Sequence, residues 1–205
     1  MGEGEGEDLS ARPEATAPLG PRDRILAAAS DLFYRQGIRS VGVDAIIASA
    51  RVAKASFYHH FQSKDDLVVA WLRSENARWL DRVAAETERR TDDPTERLLV
   101  FFDVVEELIE QPEFRGCPYL NTAAELRAET GAARDAAGAF VLEVDAYLVG
   151  LATAAGVRSP DELGRALHLL IAGAFASSVA VRAAWPASAA RRTAATLVAA
   201  ATAPS

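Results

Sequence analysis

The chain has 205 residues, 50% hydrophobic and 25% charged, with a formal net charge of −7. Such a length supports one or two domains with a real core, and such an apolar content excludes a chain disordered throughout. The single cysteine, Cys117, excludes an internal disulfide, and no Cys/His pair has zinc-ligand spacing, so no metal and no cofactor is expected.

The charge is unevenly spread. Residues 1–21 carry one arginine against five acids, residues 22–73 eight bases against five acids, and residues 74–205 thirteen arginines against 19 acids. One locally basic stretch in an acidic chain is a weak signal for phosphate binding, and a solvated surface patch explains it equally well. The N-terminus is acidic and has no apolar leader. The longest charge-free run, 166–181, is 16 residues and is broken by His168, Gly173, Ser177 and Ser178, which is short for a bilayer. A cytoplasmic location and no membrane partner are the expectation.

Residues 1–21, with four Gly, three Pro and five acids, read as a disordered tail. Beyond Pro21 the pattern is helical throughout, with no hairpin dipeptide and no long period-2 alternation, so the fold class is all-α. Ile25, Leu26, Ala29, Leu32 and Phe33 give a first helix over 22–36, with Gly37 as its left-handed stop. Two short helices follow, over 43–50 and 54–60. Ser63 with Asp66 forms a capping box for a long helix that carries Leu67, Val68, Trp71, Leu72, Trp79, Leu80 and Val83 inward. Asp93-Pro94 starts another, with Leu98, Phe101, Phe102, Val105, Leu108 and Ile109 buried. A short helix over 119–129 and long ones over 132–155 and 160–184 come next. Trp185-Pro186 is read as a break, before a last helix over 187–201. The 160–184 helix is apolar all round and so must be covered all round, one side by a second subunit.

The chemistry concentrates between Val43 and Leu67. Two short helices joined by Arg51-Val52-Ala53 have the dimensions of a helix-turn-helix, whose second helix enters the DNA major groove. Val43, Ile46, Ile47, Val52, Phe57 and Phe61 are spaced to hold the pair together. Lys54, Ser56, Tyr58 and His59 are left outward, as donors for phosphates and as side chains small enough to approach bases. Taken alone, this spacing fits a purely structural helix pair just as well.

Ala45-Ile46-Ile47-Ala48, followed by Val52-Ala53-Lys54-Ala55-Ser56-Phe57-Tyr58-His59-His60-Phe61-Gln62-Ser63-Lys64-Asp65-Asp66-Leu67, resembles the signature of the tetracycline-repressor (TetR) family. The helix from Arg24 through Leu32-Phe33 to Gly37 fits at the right distance. Arg115-Gly116-Cys117-Pro118-Tyr119-Leu120-Asn121 with Glu125 is similar to a segment in one branch of that family. The resemblance implies a homodimeric bacterial transcription regulator and no enzyme. Its three-helix domain, residues 22–70, would bind double-stranded operator DNA. A larger helical domain, 71–205, would bind a small-molecule effector and dimerise. Repression is the family's habit.

Carried over by position, Lys54, Ala55 and Ser56 open the recognition helix and would lie nearest the bases. Tyr58 and His59 match phosphate-contacting positions, and Lys64 matches a lysine at the next helix N-terminus, where an anion is favoured. Three positions depart from the family pattern. Gly42 replaces a threonine cap, Ala53 replaces a serine cap, and Arg51 stands where the turn has a glycine, so it is either strained or a further phosphate contact.

For the effector, the aromatic residues Phe101, Phe140, Tyr147 and Phe175 could wall a pocket or simply close a core. Cys117 and His168 are candidate wall residues, and Asn121 and Glu125, four apart on one helix, are the candidate polar anchors. Mostly apolar walls suit a lipophilic or aromatic molecule. The competing readings are an all-helical enzyme and a helical interaction protein with no DNA target. Against the enzyme, the three histidines form no ligand or catalytic pair, and no nucleophile elbow or phosphate loop is present.

Overall fold

The computed structural model describes residues 19–127 and 131–203, in which every regular element is a helix. Most of the acidic tail expected over 1–21 lies outside the described residues. Nine helices occur among the described residues: α1 (Pro21–Gln36), α2 (Val43–Ala50), α3 (Lys54–His60), α4 (Lys64–Arg90), α5 (Pro94–Ile109), α6 (Pro118–Glu125), α7 (Ala132–Ala154), α8 (Pro160–Val181) and α9 (Trp185–Thr202).

Helix boundaries follow local chemistry. The Ser63 hydroxyl accepts the Asp66 backbone N–H at 3.0 Å, the N-cap bond of the expected capping box, and donates to the Asp66 carboxylate at 2.8 Å. Asp93 accepts the N–H groups of Thr95 and Glu96 ahead of Pro94. Trp185-Pro186 begins a helix rather than breaking one. A proline in the first turn lacks only an N–H that has no helical partner there, and the α8–α9 turn is made instead by Arg182 at φ 53°. Accordingly α8 ends at Val181 rather than near Ala184. Helix α6 ends at Glu125, and part of the expected extension to 129 lies outside the described residues.

Helices α1–α3 form a three-helix head around Ile25, Ala29, Phe33, Ile46 and Phe57, all almost wholly buried. The core continues without a gap into α4–α9 through Leu67, Trp71, Leu98, Phe101, Phe102, Leu148, Leu167 and Ala194. Helix α4, 27 residues or about 40 Å long, belongs to both parts and crosses the boundary expected at residue 70 without interruption. At the α7–α8 crossing Gly164 is required. A Cβ there would lie 2.6 Å from the Val149 side chain and 2.8 Å from its backbone nitrogen.

By length and composition α7 and α8 are apolar enough to cross a membrane, with only 28% and 33% of their most apolar windows buried within the protomer. Their inner faces pack on the core, through Phe140, Val144 and Leu148 of α7 and Leu163, Leu167, Ile171 and Phe175 of α8. The opposite face of α8 exposes Leu169 by 74% and Val181 by 48%, with Gly173, Ala176, Ser177 and Ala180 between them.

Candidate nucleic-acid interface and ligand cavity

The head presents α3 outward. Phe57 and Ile46 are fully buried, and Phe61 packs on Phe57, which fixes the angle between α2 and α3. Lys54, Ala55, Tyr58 and His59 are exposed as a consequence, and Ser56 is half-buried. Gly42 and Ala53 cap α2 and α3 with no side-chain bond, as their residue types require.

Arg51 does occupy a left-handed position, φ 52° and ψ 51°, where an L-residue is strained. Its carbonyl accepts from the Arg24 guanidinium at 3.4 Å. The Lys54 ammonium lies 3.3 Å from the Asp44 carboxylate. The Lys64 ammonium donates to the Ile38 carbonyl at 2.5 Å, so it ties the α1–α2 connection to α4 whatever else it contacts. Arg22 adds a base beside α3, with its guanidinium 5.5 Å from the centre of the Phe61 ring. Arg22 and Arg24 stand outside the helix-turn-helix motif. The only sequence signal for them is the basic excess of residues 22–73.

A cavity of about 580 Å³, within the range of small-molecule sites, opens between the head and the α4–α9 bundle. Of the eight expected effector residues, Cys117, Phe140, His168 and Phe175 line it, and the other four lie elsewhere. Phe101 is fully buried in the core against Trp79, Phe102 and Tyr147. The Tyr147 hydroxyl is 3.2 Å from that of Thr87. The Asn121 amide donates to the Arg115 carbonyl at 2.9 Å, which shapes the loop before α6. Glu125 turns to the head, where it accepts the Arg39 backbone N–H at 2.9 Å. The four-residue spacing does put Asn121 and Glu125 on one face of α6, but that face looks at the head and at its own loop.

The cavity has walls that the sequence reading missed. Helix α1 contributes Ser30, Asp31 and Tyr34, and α4 contributes Trp71, Glu75, Arg78, Trp79 and Arg82. Trp71, Glu75 and Trp79 recur every four residues, which is the one pattern that marks them as a single face. The Ser30 hydroxyl donates to Glu75 at 2.9 Å, and Arg78 reaches the same carboxylate at 3.1 Å. The Tyr119 hydroxyl donates to the Leu72 carbonyl at 2.7 Å, and its ring stacks on Phe140. His168 faces the cavity with Nδ1 3.5 Å from Asp145. Burial pushes the Cys117 thiol above its ordinary range, only partly opposed by the N–H groups of Leu120 and Tyr119, so it stays a thiol at neutral pH.

The segment before and through α6 touches both cavity and head. The Tyr34 hydroxyl accepts the Arg115 N–H at 2.8 Å and donates to the Gly116 carbonyl at 3.2 Å. Burial, its largest influence, raises that hydroxyl above its usual range. Gly116, at φ 93°, leaves room for Val179 and Asn121, which a Cβ would crowd at 3.0 and 3.4 Å.

Comparison with known proteins agrees with this geometry. Residues 25–71 match the family of bacterial regulatory proteins, tetR family, and residues 94–194 match the tetracyclin repressor-like C-terminal domain. A TetR transcriptional regulator of Streptomyces avermitilis, known from its crystal structure, is 33% identical with a TM-score of 0.79, covering 89% of this chain and 98% of that one. The chain belongs to the TetR family. Transcriptional regulator AcuR of Cereibacter sphaeroides is 34% identical over 127 residues, 57% of either chain. The transcriptional repressor NemR of Escherichia coli is 26% identical over 106 residues, 51% of this chain and 53% of that one. The chain thus spans about half the length of the curated relatives it matches. TetR membership places it with bacterial regulatory proteins.

Proposed function

We propose that this TetR-family chain is a cytoplasmic, homodimeric repressor. It would bind operator DNA through α3 and be released by a small lipophilic or aromatic molecule held in the cavity. One observation carries the reading: residues 115–120 wall the cavity, and the segment they begin, 115–125, also grips the head. Tyr34 of α1 holds Arg115 and Gly116, and Glu125 holds Arg39 beside α2. A ligand that moves this segment changes how the head sits, so the occupied and DNA-bound arrangements differ in energy. A coupling of about 1–3 kcal/mol is enough for a regulator.

The direct contacts assigned to DNA are Lys54, Ala55 and Ser56 at the bases, and Arg51, Tyr58, His59 and Lys64 at phosphates. The exposure of Lys54, Ala55, Tyr58 and His59 supports this. The homodimer reading rests on the small, apolar outer face of α8, which is long enough to build a bundle with its symmetry mate and α9.

The test is a footprint of the DNA flanking the protein's own gene, followed by a salt titration. Specific protection, with affinity falling steeply with salt, is the expected result. Binding to no flanking sequence, or a flat salt dependence, would overturn it.

A further inference from the structure

We propose that the cavity takes an organic cation: a lipophilic molecule whose ammonium or quaternary nitrogen sits against Glu75, between Trp71 and Trp79. The inference deepens the effector reading above and rests on it.

The argument is one of charge placement. Four arginines and three acids line the cavity, but they are not at equal depth. Arg35 and Arg78 are more than 60% exposed, and Arg82 and Arg115 are exposed as well. Water screens these groups at the mouth. Asp31, 58% exposed, is already paired with Arg35 at 2.6 Å, and Glu113 is exposed. Glu75 is different, with a side chain only 27% exposed. Its Oε1 takes both the Ser30 hydroxyl and Arg78, and Oε2 takes neither. The inner wall therefore holds a carboxylate whose arginine partner, Arg78, reaches it from the exposed mouth. His168, the other inner group, has its Nδ1 3.5 Å from Asp145.

Around that carboxylate the surfaces are aromatic. Trp71 and Trp79 flank it one turn before and after along α4, Phe140 packs on Trp79 and Tyr119, and Tyr34 lines the same cavity. Burial is the largest influence raising the Tyr34 and Tyr119 hydroxyls above their ordinary range, and the Glu75 charge is a smaller one, behind Cys117, at both rings. Ring faces attract cations, and Trp is the strongest of them. A cationic ligand would give Glu75 a second opposite charge beside Arg78, a neutral ligand would add none, and a carboxylate ligand would meet like charge.

The experiment is calorimetric titration of the full chain with three probes that share one tail: 4-phenylbutyl-trimethylammonium, 4-phenylbutanol and 4-phenylbutanoate. The ammonium should bind roughly tenfold or more tighter than the alcohol, and Glu75→Gln should remove that preference. Ala172→Trp, which fills the cavity from a half-exposed position on α8, should weaken the ammonium and the alcohol alike. Equal binding of ammonium and alcohol, tightest binding of the carboxylate, or no binding of the ammonium overturns the cation inference. Probe binding that ignores Ala172→Trp puts the ligands outside the cavity and overturns the effector reading instead.

Discussion

Glu125 of α6 accepts the backbone N–H of Arg39 at 2.9 Å, 86 residues away, and its other carboxylate oxygen lies against Gly37. Gly37 has φ 83° and ψ 153°, a conformation essentially reserved for glycine, and a Cβ there would sit 2.9 Å from Glu125 Oε1. One turn residue thus ends α1 and makes room for the carboxylate that joins head to body. Glu125→Ala should cost about 1.5 kcal/mol, the lower end for a bond to a charged acceptor, because the site is half-exposed. Glu125→Gln keeps an acceptor oxygen and should retain most of that. Thermal unfolding of the three proteins decides it, and an Ala variant as stable as the parent removes the joint.

Tyr34→Phe tests the other contact between head and body. It removes one donor and one acceptor bond to residues 115–116 without emptying space. Operator affinity without ligand should change little. The weakening of that affinity by a saturating cavity ligand should shrink several-fold, since the ligand then moves a segment no longer tied to α1. An unchanged ligand response would take Tyr34 out of the coupling.

Arg51→Gly separates strain from contact. Glycine relieves a left-handed residue but gives the unfolded chain roughly 0.5–1 kcal/mol more entropy to lose, so net stability should hardly move. If Arg51 touches a phosphate, the slope of log affinity against log salt falls by about one counterion. A slope that stays put leaves Arg51 as a turn residue only.

The α8 face can be broken without breaking the protomer. Gly173 is exposed, and a Cβ added there would have nothing within 4 Å, whereas its neighbour Ala174 is 3% exposed and faces the protomer core. Gly173→Arg should yield folded monomers by sedimentation, because a charge in an apolar seam costs several kcal/mol. Ala174→Arg should instead fail to fold. Wild-type-like dimers of Gly173→Arg would move the interface off α8.

The head was legible in the sequence because its determinants are local. The Ser63–Asp66 box, the spacing of Ile46, Phe57 and Phe61, and the odd arginine at the turn all act within a few residues of one another. The cavity was legible only in part. Phe140, His168 and Phe175 lie on apolar stripes, and a stripe reveals burial without revealing what it is buried against. Asn121 and Glu125 share a face of α6, but whether that face meets the cavity or the head is set by tertiary packing. Trp71 and Trp79 were expected to point inward. That Glu75 between them does so too shows only as a four-residue recurrence, which a solvated glutamate would match equally well.

The Cys117 thiol supplies a pH test. Burial holds it above its ordinary value of 9.0, and only the thiolate reacts with alkylating reagents. Iodoacetamide should therefore modify folded protein more slowly than it modifies glutathione at neutral pH, with a rate still rising beyond pH 9. The sign for stability follows from proton counting. Above the ordinary value the unfolded chain has lost this proton and the folded chain has kept it, so the unfolded state binds fewer protons and stability falls as pH rises. The loss starts near pH 9 and ends once pH passes the raised value. Below pH 8 this group contributes no slope. Tyr34 and Tyr119, raised above 10.0 chiefly by burial, act the same way at higher pH. Denaturant titrations between pH 7 and 10.5 should then show a decline that begins near pH 9 in the parent and later in Cys117→Ala. Identical profiles for the two, or an alkylation rate that levels off below pH 9, would mean that the folded thiol is not held up by its surroundings.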